Sequence, residues 1–71
     1  MKNFVRAEAK FSEAIRLNPK DILAHFNLAR VYREQGRIAE AVAEFKTAIE
    51  LNPQSDIARD ARLMISEMLN R

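Results

Sequence analysis

Residues 7–19, AEAKFSEAIRLNP, and residues 41–53, AVAEFKTAIELNP, are one stretch written twice, 34 positions apart. Eight of the 13 aligned positions are identical: Ala7, Ala9, Phe11, Ala14, Ile15, Leu17, Asn18 and Pro19 recur as Ala41, Ala43, Phe45, Ala48, Ile49, Leu51, Asn52 and Pro53. Chance gives about one such match, and a period of this size marks a supersecondary unit that buries its apolar face against the next copy. The first copy begins inside the unit, so the numbering reads as a truncated array.

Working outward, Ile38, Ala41, Val42, Phe45, Ala48 and Ile49 recur at i, i+3, i+4 and i+7, the spacing of one helix face, with Glu40, Glu44, Lys46 and Glu50 on the others. The first copy repeats the stripe through Phe4, Ala7, Phe11, Ala14 and Ile15, with Glu8 where its sister has Val42, which predicts a wetter edge on helix 1. Between the copies a helix is expected from about residue 22 to 35, opened by Asp21 as N-cap and closed by Gly36, with Ala24, Leu28, Val31 and Tyr32 as its core stripe. Asn18-Pro19 and Asn52-Pro53 end helices, because the residue before proline is pushed out of the helical region. A last helix starts at Ser55 or Asp56 and carries Ile57, Ala61, Met64, Ile65 and Met68 on one face. The expected fold is all-α, four helices with short connections.

Composition agrees and narrows the function classes. Hydrophobic residues make up 48% of the 71 and charged ones 31%, with one Gly and two Pro, a balance of packed helices and not of a disordered chain. A domain this small buries only about 60% of its unfolded surface, so stability as a lone monomer is marginal. Without cysteine there is no disulfide, thiol chemistry or cysteine-ligated zinc. His25 has no second ligand at metal spacing and reads as a packed or half-exposed helix residue. No apolar run resembles a signal peptide or a membrane span, which makes a cytoplasmic setting the expectation. A formal charge of +2, mixed along the chain, gives little reason to expect nucleic acid.

The 34 residues from Ile22 to Ser55 resemble one complete tetratricopeptide repeat. Leu28, Ala29, Tyr32, Gly36, Ala41, Phe45, Ala48 and Pro53 match that family's signature in order and spacing. The residue types also make physical sense: small Ala29 and Ala41 let paired helices approach, Tyr32 and Phe45 fill the gaps between hairpins, and Gly36 makes the turn. The resemblance implies antiparallel helix hairpins of a right-handed solenoid in a single domain. Residues 1–18 are then the second helix of a partial repeat, 22–55 a complete repeat and 56–71 a capping helix. His25 departs from the pattern, standing where the family often has a large aromatic. Arg62 and Ser66 depart at positions that want Leu and Tyr, giving the last helix the polar face of an array end.

Carried over to this sequence, the family's concave groove falls on Leu23, Phe26, Asn27, Arg30, Arg33 and Glu34, which share a face distinct from the core stripe. Asn27 can donate and accept to a peptide backbone, or stand as a solvated helix residue. Arg30 and Arg33 suit a ligand carboxylate by bidentate hydrogen bonds, although Arg30 and Glu34 are also spaced to pair with each other. Phe26 reads as a ligand anchor, a subunit contact or a core residue. Met64 and Met68, with Met1, form either core or an adaptable apolar surface.

The function expected from these features is a non-enzymatic scaffold or adaptor that binds a peptide or partner helix and uses no cofactor or metal. No nucleophile, base and carboxylate stand in a recognisable arrangement, and no glycine-rich loop cradles phosphate. The face of Phe4, Ala7, Phe11 and Ala14 lacks its hairpin partner, so self-association to a homo-oligomer is expected there. Support comes from basic Lys2, Arg6, Lys10 and Arg16 on the first helix against acidic Glu40, Glu44 and Glu50 on the third. A purely structural self-assembly module is one alternative; nucleic-acid binding through Arg30, Arg33 and Arg37 is a weaker one.

Overall fold

Short polar side chains start three of the four helices in the computed structural model, which describes residues 3–70. The helices are α1 (Phe4–Leu17), α2 (Ile22–Glu34), α3 (Ile38–Leu51) and α4 (Asp56–Leu69), and there is no strand among the described residues. The parts expected for Met1 in an apolar surface and Lys2 in the charge of the first helix lie outside the described residues, as does Arg71. Asn3 Oδ1 accepts from the Arg6 amide at 3.0 Å, Asp21 Oδ1 from Ala24 at 3.1 Å and Ser55 Oγ from Ala58 at 3.0 Å. Each satisfies one of the free N–H groups of a first helical turn. α3 starts at Arg37 without a side-chain cap.

The stops are equally local. Asn18 and Asn52, each before a proline, lie outside the helical region at φ −145° and −154°, so the chain leaves α1 and α3 at matching places one repeat apart. Gly36 ends α2 with φ +79°, in the left-handed region that a side chain disfavours.

α2 is the central element, meeting α1, α3 and α4, and α4 also packs on α3. The α2–α3 hairpin forms the core. Ala29, Ala41, Phe45, Ala48 and Ala61 are fully buried, and the Phe26 ring stands edge-on to Phe45 at 5.5 Å between centroids and 66° between planes. Four small alanines let the helices approach while one aromatic pair fills the remaining space. Ile57, Met64, Ile65 and Met68 of α4 pack against this cluster. The molecule is 17 Å along its shortest axis, which fits two layers of helices about 8–10 Å apart. No helix among the described residues is long and apolar enough to cross a membrane.

Candidate functional site

The internal repeat gives α1 the same apolar stripe as α3, yet the two stripes are covered differently. Ala41, Phe45 and Ala48 of α3 are fully buried beneath α2, whereas Ala7, Phe11 and Ala14 of α1 are only half-buried. The difference leaves a groove of about 400 Å³ between α1 and α2, lined by Asn3, Phe4, Ala7 and Phe11 on one wall and by Asn27, Arg30, Val31 and Glu34 on the other. A second hollow of about 180 Å³ continues past Phe11 and Asn27 to Lys10, Ala14, Asp21, Leu23 and Ala24. Beyond Asn3 the first wall is apolar, and the opposite one is polar around Val31.

This groove unites two sets of residues that the sequence assigns to separate surfaces. Asn27, Arg30 and Glu34, expected to bind peptide, face Phe4, Ala7 and Phe11, expected to bind another copy of the chain. Leu23, 52% exposed, and Ala14 line the continuation. Two of the expected groove residues stand elsewhere. Phe26 is buried in the core against Phe45 and is no free anchor, because its ring fills the space that the alanines leave. Arg33 lines a separate hollow with Ile38 of α3 and Glu67 and Met68 of α4. Asn3 was not singled out by sequence, and Lys10 only as one of the basic residues of the first helix. Lys10 was legible as the repeat partner of Glu44, and Asn3 only as a residue before the first apolar stripe.

Charges outside the groove are largely committed to the fold. Arg37 lies at 3.0 Å from Glu8 and 2.6 Å from Glu40, donates to Gln35 at 2.9 Å, and its guanidinium covers the Tyr32 ring at 4.4 Å. The hydrogen bond from Arg37 holds the Glu40 carboxyl below its ordinary range, and the same contact raises Arg37. Burial is the first cause that pushes the Tyr32 hydroxyl up, followed by the charge of Glu8. Glu8, the polar exception in the repeat, thus ties α1 to the start of α3. Arg37 does not present a free cation for a phosphate backbone, which removes one of the three arginines of the nucleic-acid reading.

His25 is buried, and both ring nitrogens are engaged: Nε2 donates to the Pro19 carbonyl at 2.8 Å, and Nδ1 lies 2.7 Å from Glu44 Oε1. The α1–α2 connection is thereby fastened to α3. Glu44 and Glu40 are consumed in these internal pairs, which weakens the acidic surface of α3 expected to attract a second copy's α1.

Comparison with known proteins follows the same stretch. A family model described as tetratricopeptide repeat matches residues 1–64. The mouse protein named Protein O-mannosyl-transferase TMTC3 is 42% identical over 53 residues, covering 75% of this chain and 6% of that protein, and the human protein of that name gives the same figures. Protein O-mannosyl-transferase F38B6.6 of Caenorhabditis elegans is 33% identical over 57 residues, 80% of this chain and 8% of that protein. The chain thus spans well under a tenth of the length of these relatives. No solved structure matches. The expectation of a non-enzymatic chain is overturned by these names, since each relative is called a transferase. It rested on finding no catalytic constellation in 71 residues, but a packing repeat carries no record of chemistry performed elsewhere in a longer protein.

Proposed function

Because the chain belongs to the tetratricopeptide repeat family, we propose that it is a protein-interaction module that holds a segment of a partner protein in the groove between α1 and α2. The observation that carries this proposal is the pairing of an apolar wall, Phe4, Ala7 and Phe11, with the hydrogen-bonding wall of Asn27, Arg30 and Glu34. Apolar contact supplies affinity and the polar groups fix orientation, the usual division in a concave site. At about 400 Å³ the hollow accepts a few side chains of a partner and not a whole domain. If the chain serves a longer protein such as the named transferases, its part there is to hold that protein to another.

The test is affinity capture on the immobilised chain, with Ala7→Trp to fill the groove, Asn27→Ala to remove its amide, and Lys46→Ala as a control outside it. Proteins retained by the wild type and the control but lost on Ala7→Trp support the proposal. Equal retention on all four surfaces removes the groove from consideration.

Self-association through Phe4, Ala7, Phe11 and Ala14 is a second reading, favoured by the half-buried state of that apolar face. Sedimentation across a dilution series separates the two: a mass that rises with concentration in the absence of any partner supports the structural assembly module.

A further inference from the structure

Both Asn-Pro connections of the chain are fastened by a side chain of the helix that follows. The Pro53 carbonyl accepts from Arg62 Nη1 of α4 at 3.3 Å, and the Pro19 carbonyl accepts from His25 Nε2 of α2 at 2.8 Å. Around them the two turns match bond for bond. The Asp21 and Ser55 amides donate to the Asn18 and Asn52 carbonyls at 3.0 and 3.1 Å, and the His25 and Arg59 amides to the Asp21 and Ser55 carbonyls, both at 3.2 Å. The Ala24 and Ala58 amides donate to the side chains of the caps Asp21 and Ser55. The fasteners themselves differ: a guanidinium keeps its charge at every pH a protein survives, whereas an imidazole gains or loses one between about pH 5 and 8.

The buried His25 ring meets oxygen at both nitrogens, the Pro19 carbonyl on Nε2 and Glu44 Oε1 at 2.7 Å on Nδ1. A carbonyl and a carboxylate only accept, and a neutral imidazole has one N–H and one lone pair. In either neutral tautomer one contact therefore sets lone pair against lone pair; only the ring with both protons donates at both ends. From this we infer that His25 is a proton-operated clasp, which joins the α1–α2 connection to α3 while the ring carries two protons and lets the connection go when it carries one. The end released is Pro19. An ionised acceptor holds a donor roughly twice as strongly as a neutral one, so the remaining proton stays on Nδ1 against Glu44. The proton on Nε2 passes to water at Pro19, which is exposed, and water hydrates the carbonyl in its place.

The charged groups of the surrounding elements leave the ring to these two partners. On α3, Glu40 is paired with Arg37; at the start of α2, the Asp21 side chain caps Ala24. Lys10 of α1 lines a hollow with Asp21 and Ala24 but not with His25, Lys20 of the connection is exposed, and Arg59 of α4 lies beside Asp56. Among the described residues Glu44 is the one charged group paired with the ring. The clasp therefore contributes stability on the acid side of the ring's titration and loses it as pH rises through that titration, opposite in direction to a paired carboxylate. Because Asp21, Leu23 and Ala24 border the continuation of the α1–α2 groove, its release loosens that end of the groove.

The second connection is a built-in control for the first. Amide exchange of the full chain is read by NMR from about pH 5 to 8 and expressed as protection, which removes the base catalysis of exchange itself. The protection of the Asp21, Ala24 and His25 amides is expected to fall about two- to ten-fold as the ring titrates, the worth of one hydrogen bond, while Ser55, Ala58 and Arg59 keep theirs. Nitrogen-15 spectra of the ring should show two protonated nitrogens below the step and Nδ1 alone above it. Glu44→Gln keeps the shape of a partly exposed side chain and offers an N–H to Nδ1, so the neutral ring's one proton serves Pro19 and the step vanishes. His25→Phe, a packed ring without protons, is flat as well. Protection that changes in parallel at the two connections overturns the inference. So does a step of wild-type size in Glu44→Gln or in His25→Phe, or a retained proton found on Nε2.

Discussion

Phe11 and Phe45 are the same residue of the same repeat in two surroundings, and truncating each in turn measures what a covering helix is worth. Phe45 is fully buried and edge-on to Phe26. Phe45→Ala loses the transfer free energy of the ring, leaves a cavity that the alanine-lined helices cannot close, and forfeits the aromatic pair, about 3–5 kcal/mol together. Phe11 is half-buried beside an open groove, so Phe11→Ala leaves no enclosed cavity and loses about half of the ~1.5–3 kcal/mol that full burial of such a side chain contributes, or about 1 kcal/mol. The expected difference is therefore about 2–4 kcal/mol. Urea unfolding followed by far-ultraviolet circular dichroism reads it, provided the slope with denaturant is unchanged between variants. A domain of this length has of the order of 4–11 kcal/mol in all, so Phe45→Ala approaches the point of unfolding, and the Phe→Leu pair gives the same ordering where it does. Costs equal to within about 0.5 kcal/mol would refute the claim that α1 lacks the cover that α3 has.

Three further outcomes are expected. Gly36→Ala meets no atom within 4 Å of the new Cβ, so its cost is the backbone alone, about 1–2 kcal/mol at φ +79°, seen as a Tm lowered by about 4–8 °C per kcal/mol; an unchanged Tm removes the glycine from the turn's energetics. His25→Ala leaves the Pro19 carbonyl and Glu44 without their buried partner at about 1–3 kcal/mol, and amide hydrogen exchange should quicken in residues 18–25 before it does in α4. Glu40, held by Arg37 below the ordinary carboxyl value of 4.5, binds its proton less readily folded than unfolded. Its contribution is thus present above that value and lost as pH falls through the lowered one, and Glu40→Gln should flatten this acid limb of the stability curve. An acid limb identical in the two proteins excludes the Arg37–Glu40 pair as its source.

The repeat made the architecture readable: Asp21, Gly36 and the two Asn-Pro pairs act within a few residues, and the structure puts helix starts and stops where those local rules place them. What periodicity hides is which side of a helix faces which neighbour. α2 has neighbours on several sides, so treating it as having one core stripe leaves Phe26 open between groove anchor, subunit contact and core, and His25 between packed and half-exposed. The structure sinks both beneath α3. The long-range pairs were equally invisible, since His25–Glu44 and Arg37–Glu8 join residues 19 and 29 positions apart. The stripe of α1 and the polar face of α2 were each legible as candidate surfaces. That they are two walls of one groove depends on how the helices cross, which no one-dimensional pattern contains.

The groove also joins stability to recognition. In a stack of repeats each unit is held by its own folding free energy and by the interface with its neighbour. The groove-side face of α1 is only half-buried, so a partner segment seated there would contribute to the chain's stability and to its own affinity through the same contacts. Filling it by a ligand at 100 times its dissociation constant adds about 2.7 kcal/mol to the unfolding free energy. That figure depends only on the ratio of ligand to dissociation constant and is the same for any ligand at that ratio, so the groove's part in it is read from how far Ala7→Trp lowers it.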